Sequence, residues 1–200
     1  LKEMNLWDDT VIIISADHGE NQGELNVWGD HQTADHITNR IPLIVKWPGI
    51  TDNNKNKTID KKFYNLDLTS TISQIVTSSQ PERWDGLSFL ENLKDNESNN
   101  GRDYLVLSHG AWSCQRSVRW DNWLLIRTYD TGLKEFSKYM LFDISKDPHE
   151  LKNLADDNIG LVAHGMYLID KWIEENLHEA DRGDPLLGVI REGGPHHANI

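Results

Sequence analysis

The strongest constraint on the fold is a run of β-branched residues, Val11-Ile12-Ile13-Ile14, that stops on Ser15-Ala16-Asp17-His18-Gly19-Glu20. Branched side chains favour extended backbone. A run that is apolar at every position and bounded by polar residues predicts a strand buried on both faces, as in a parallel sheet. Ile41–Trp47 has the same character and ends at the turn signal Pro48-Gly49. The two runs are joined by residues 15–40, a largely polar stretch that holds His18, His31 and His36 and is too long for an idle connection.

Further along, Asp67 is placed to cap a helix whose Leu68, Ile72, Ile75 and Val76 share one face. Residues 94–103 (KDNESNNGRD) read as a linker. The chain therefore divides into residues 1–95, an α/β part, and residues 96–200, a smaller part. Beyond the linker, Tyr104–Leu107, Cys114–Trp120, Trp123–Thr128 and Tyr139–Phe142 are short runs joined by short turns, the pattern of an antiparallel sheet. Ile159, Val162, Met166, Ile169, Ile173 and Leu177 then recur at helical spacing. Gly160 and Gly165 each weaken that helix by about 1 kcal/mol relative to Ala. Residues 180–200 are expected to be irregular, with His196-His197 as tail.

Composition excludes several functions. The 32 acidic and 20 basic residues leave a formal charge of −12, which argues against nucleic-acid binding. No apolar run reaches the roughly 18 residues of a membrane span. The lone Cys114 cannot form an internal disulfide and reads as a buried thiol. The chain starts at Leu1 without an initiator Met and reads as part of a longer protein.

The chemistry concentrates just past the first strand, where ligand sites of open α/β sheets gather. Asp17 offers a carboxylate and His18 an imidazole, and Gly19 permits a tight backbone path. The following loop adds Gly29-Asp30-His31 and Asp35-His36 before the chain re-enters Arg40-Ile41-Pro42-Leu43-Ile44-Val45-Lys46-Trp47-Pro48-Gly49. Three histidines and several carboxylates held between two strands suit metal and oxyanion chemistry.

This order of segments resembles the type I sulfatases of the alkaline phosphatase superfamily. The likeness continues through Asn65–Ile72, Trp84-Asp85-Gly86-Leu87-Ser88-Phe89, Arg116-Ser117-Val118-Arg119 with Trp123–Ile126, and Leu141-Phe142-Asp143-Ile144 with Asp147-Pro148-His149-Glu150. It implies the C-terminal part of an alkaline-phosphatase-like mixed or parallel α/β sheet sandwiched by helices, followed by a small antiparallel sheet with one packed helix. It also implies hydrolysis of sulfate esters or sulfamates by a formylglycine nucleophile outside this chain, so that the chain alone is expected to be inactive. One divalent metal ion is implied, Ca²⁺ by family habit, with Asp17 and His18 as ligands. Imidazole also suits transition metals, which leaves room for Zn²⁺ or Mn²⁺.

Family members carry a Lys about 12 residues beyond the metal pair. Here no Lys occurs between Lys2 and Lys46. His31 is expected to replace it as the catalytic cationic or proton-donating contact. His36 and His109 are expected to contact substrate, Arg116 and Arg119 to be scaffold, and one Trp to serve as a sugar platform. The charge of −12 favours a small or terminal sulfated group, a sugar by family habit, over a long polyanion. The alternatives are a phosphonate monoester or phosphodiester hydrolase of the same superfamily, and a non-catalytic binding protein with a degenerate site.

Overall fold

The computed structural model describes residues 1–195, so His196-His197 lies outside the described residues. In chain order the strands are β1 (Ile12–Ser15), β2 (Asn21–Gln22), β3 (Trp28–Asp30), β4 (Leu43–Lys46), β5 (Tyr104–His109), β6 (Cys114–Trp120), β7 (Trp123–Asp130) and β8 (Tyr139–Asp143). The helices are α1 (His36–Asn39), α2 (Asn65–Thr77), α3 (Leu90–Lys94), α4 (Ile159–Ile173) and α5 (Pro185–Arg191). No described helix is long and apolar enough to cross a membrane.

The chain forms two compact units. One comprises Leu1–Asp17 and Ile41–Asp103; the other comprises His18–Arg40 and the described residues from Tyr104 on. The polar connection between the two apolar runs thus groups with the C-terminal sheet.

In the first unit, β1 pairs with β4 antiparallel, from Ile12 opposite Lys46 to Ser15 opposite Leu43. This corrects the expectation of a parallel partner for the first run. Both strands are partly open, with Ile14 50% and Ile44 58% exposed. The apolar runs identified strands, but periodicity carries no information about the direction or cover of their partners.

Asp67 is the third residue of α2 rather than its cap, and Tyr64 takes the cap position. The fully buried Asp67 carboxylate accepts from the Tyr64 and Leu87 amides at 2.7 Å and from both ends of the Arg102 guanidinium. A carboxylate in the first turn also complements the helix dipole. The Arg102 guanidinium in turn lies over the Tyr64 ring at 4.6 Å.

The second unit is built on an antiparallel sheet of order β5-β6-β7-β8, as its turn spacing predicts. One face holds Val106, Val118, Trp120, Leu125 and Leu141 beneath α4 residues Leu168 and Ile169. The other face holds Leu124, Ile126, Met140 and Phe142, with Leu25 packed against them. Arg119 donates to the carbonyls of Trp120, Asp121 and Trp123 and so binds the β6–β7 turn, a scaffold role. Arg116 is scaffold as well: only 2% exposed, it forms a two-pronged ion pair with Asp184 at 2.8 and 2.9 Å.

That ion pair anchors α5, where irregular chain is expected from the sequence. The signal was present as Asp184-Pro185: Asp184 caps the helix by accepting from the Leu186 amide, and proline is favoured at the first helical position.

Gly165 corrects the helix reading in another way. A Cβ there would lie 2.7 Å from Leu125 Cδ2 and 3.1 Å from the Trp120 ring, so glycine lets α4 approach the sheet. A Cβ at Gly160 meets nothing within 4 Å. Gly160→Ala should raise stability by up to about 1 kcal/mol. Gly165→Ala should lower it despite the same gain in helix propensity, because overpacking costs about 1–3 kcal/mol. Urea denaturation of the two variants checks the opposite signs.

Candidate functional site

The segment His18–Arg40 folds by two local devices. Strands β2 and β3 make a short hairpin with Asn21 opposite Asp30, so Glu20 and His31 leave it as neighbours. At the other end, Asp35 caps α1 by accepting from the Thr38 amide at 2.9 Å. The Gly19 amide donates to the Thr38 carbonyl at 2.7 Å. A Cβ on Gly19 would sit 1.9 Å from the Ile37 carbonyl oxygen. Close approach to α1, rather than a tight turn, is therefore what requires glycine there.

The hairpin gathers one cluster. The His18 and His31 rings stack with centroids 3.9 Å apart. Glu20 Oε2 lies 3.5 Å from His31 Nδ1 and 3.9 Å from His18 Nδ1. His18 Nδ1 donates to the Gly19 carbonyl at 2.8 Å, the only polarity that bond allows, which leaves Nε2 as the ring's acceptor. Asp30 Oδ1 is 3.6 Å from His31 Nδ1 and accepts the His31 amide at 2.7 Å; Gln32 donates to its other oxygen. Burial raises the Asp30 carboxyl, but these hydrogen bonds hold it below the usual carboxylate range.

The other two histidines stand differently. His109 closes β5, and its Nε2 accepts the Trp112 amide at 3.3 Å. Burial, then the nearby charge of His31, lowers its pKa to about 4. His36 opens α1; burial, then Arg40 and Arg119, lowers it to about 4 as well. Both rings are neutral at pH 7, so neither stands in for a lysine cation. Of the residues singled out in the sequence, the structure brings His18 and His31 into contact and sets His109 within electrostatic reach of His31. His36 is held elsewhere, and Asp17 precedes His18 on the other side of the division between units.

Sequence reasoning passed over Glu20, Asp30, Gln115 and Glu150. Glu20 stood in the quoted motif, but only the hairpin register makes it His31's neighbour. The Gln115 carbonyl accepts the Ala34 amide at 3.0 Å, and Glu150 Oε1 accepts the His36 amide at 2.8 Å. Next to Glu150, His149 pairs with Glu24 at 2.8 Å. Glu150 was visible as the last residue of Asp147-Pro148-His149-Glu150, and its φ of 54° marks a turn built to aim it.

Residues 23–174 match the family described as N-sulphoglucosamine sulphohydrolase, C-terminal. The chain belongs to this family. The matched span contains His31, His36 and His109, whereas Asp17 and His18 precede it. The chain is 32% identical to the multifunctional alkaline phosphatase superfamily protein PehA of Trinickia caryophylli, over 78% of this chain and 32% of that protein. It is 27% identical to an arylsulfatase of Clostridium perfringens, over 78% of this chain and 31% of that protein. The fold matches a solved structure bound to its substrate D-glucosamine-2-N,6-O-disulfate, with a TM-score of 0.72 at 18% identity, covering 87% of this chain and 36% of that one. The chain thus spans about a third of the length of the curated relatives it matches. The expected mixed α/β fold with its small antiparallel sheet is borne out.

Within this family member, Glu150 carries a pH signature. Burial, then the charge of Asp35, pushes its carboxyl up to about 9 from an ordinary 4.5. Its Oε2 is buried without a hydrogen-bond partner. Between those two pH values the folded chain keeps a proton that the unfolded chain has lost, so Glu150 makes stability fall as pH rises from 4.5 to 9. Glu150→Gln retains an acceptor for the His36 amide and removes that slope. Urea midpoints at pH 5 and pH 9 should differ less in the variant than in the parent chain.

Proposed function

We propose that the chain is the part of a carbohydrate sulfatase that carries the proton-donating contact and two metal ligands. The observation that supports this most directly is the family match over residues 23–174, which includes β3 and His31. The names of the relatives agree with it, from an arylsulfatase to a structure holding a disulfated glucosamine. The substrate is a sulfate ester or sulfamate of a small or terminal sugar. The formal charge of −12 repels a long polyanion, so attraction has to be local. Trp28, 73% exposed on β3 two residues before Asp30, offers a flat apolar face for a sugar ring.

The donor types of this adjacent pair suit a divalent cation. Asp17 supplies an oxygen donor, and His18, its Nδ1 committed to the Gly19 carbonyl, supplies Nε2. An ion there, Ca²⁺ by family resemblance, would offset the charge of the sulfate oxygens. A formylglycine would supply the nucleophile. Cys114 is not its source, because it is fully buried, and burial followed by the charge of Asp130 raises its thiol pKa.

His31 is the histidine of the loop placed to act on a leaving group. Its Nδ1 lies 3.5 Å from Glu20 and 3.6 Å from Asp30, so carboxylates orient the ring, as in other acid–base histidines. In an active protein containing this chain, His31→Ala should lower kcat for a sulfated glucosamine about 100-fold or more, with KM changed much less. Unchanged turnover would remove His31 from catalysis. Hydrolysis of phosphonate monoesters without release of sulfate would replace the sulfatase reading itself.

A further inference from the structure

We propose that His18, Glu20 and His31 form a chelating site for a transition-metal ion of the Zn²⁺ class, with a donor set different from that of the Asp17–His18 pair. One ligand atom from each of the three residues lies within 4.8 Å of the others. The hairpin register builds the site: with Asn21 opposite Asp30, the next positions outward are Glu20 and His31. His18 is fixed from behind, because Gly19 is hydrogen-bonded to Thr38 and pressed against Ile37.

Four observations point to a cation of this kind. The 3.5 Å between Glu20 Oε2 and His31 Nδ1 matches the separation of about 3.4 Å between ligands at zinc bond lengths of about 2.1 Å. His31 Nδ1 is buried without a hydrogen-bond partner, although it faces two carboxylates. Two imidazoles and one carboxylate are a zinc ligand set, whereas Ca²⁺ takes a shell of oxygens. Asp30 holds the His31 amide and adds negative charge beside the cluster, the service that groups outside a metal's direct ligands perform. His18 and Glu20 are exposed and His31 is half-exposed, so an ion enters from solvent.

The site shares His18 with the pair assigned above and takes the nitrogen of His31 that faces the carboxylates. A bound Zn²⁺ therefore opposes the catalytic arrangement and inhibits turnover. That consequence rests on the sulfatase reading; binding does not.

The test is calorimetric titration of the 200-residue chain with Zn²⁺ at pH 7, together with the visible spectrum of the Co²⁺ form. The proposal expects one ion per chain and a tetrahedral Co²⁺ spectrum. It expects at least a tenfold loss of affinity in Glu20→Gln and in His31→Asn, and little change in Asp17→Asn. Circular dichroism verifies that each variant folds. Absence of Zn²⁺ binding, or Glu20 and His31 variants that bind like the parent, overturns the site. Loss of binding in Asp17→Asn alone would also overturn it, by placing the ion on the Asp17–His18 pair. Each of these outcomes leaves the sulfatase reading intact, since that reading is judged by sulfate release.

Discussion

A polar stretch of chain stays ordered only if its backbone donors and acceptors find partners. In this protein the C-terminal sheet and its closing turn supply them. The Ser113 hydroxyl donates to the Gln32 carbonyl, Gln115 accepts the Ala34 amide, and Glu150 accepts the His36 amide. The tethered residues are 32, 34 and 36, alternate positions, as along a strand. Gln115 is itself fixed by donating to Thr128 on β7. Each of these side chains is buried, so an unmade bond would leave a desolvated polar group, at a cost of about 1–3 kcal/mol. His31 and the hairpin that carries it are the next residues along from this tethered row.

The same tethering sets the electrostatics. Packing the segment onto the sheet buries Asp35 and Glu150 near one another, and burial raises both carboxyls. It also keeps His36 neutral. The hairpin instead stays near solvent, where Glu20 and Asp30 surround His31 with negative charge. A neutral buried zone lies beside a charged exposed one: burial keeps His36 and His109 uncharged, while His18 and His31 stand among carboxylates near solvent.

Much of this was legible in the sequence. Residues 104–143 read as four antiparallel strands because turns such as Asp121-Asn122 punctuate them, and turn chemistry is local. The repeat from Ile159 to Leu177 read as a helix because one face has to be apolar against the sheet. Of the cluster's two histidines, His18 was legible from the motif around Asp17 and His31 from Gly29-Asp30-His31 in the loop that follows. What was hidden depended on pairing at long range. The direction of β1 is set by β4, some thirty residues away; the value of Glu150 depends on His36, more than a hundred residues away. Gly165 looked like a flaw in the helix because the side chains it makes room for, Leu125 and Trp120, lie on other elements. Asp184-Pro185 was a local helix-start signal and was missed because the glycine- and proline-rich composition around it outweighed it.

The central claim is that the C-terminal sheet holds the site-bearing segment in place through side-chain bonds to its backbone. Hydrogen exchange of the native chain, resolved at single amides, tests it most directly. The account predicts that the amides of Ala34 and His36 exchange as slowly as those in the middle of β6 and β7, and that Gln115→Ala speeds Ala34 alone. Exchange of Ala34 and His36 at the rate of an exposed loop, while β6 and β7 stay protected, would contradict it.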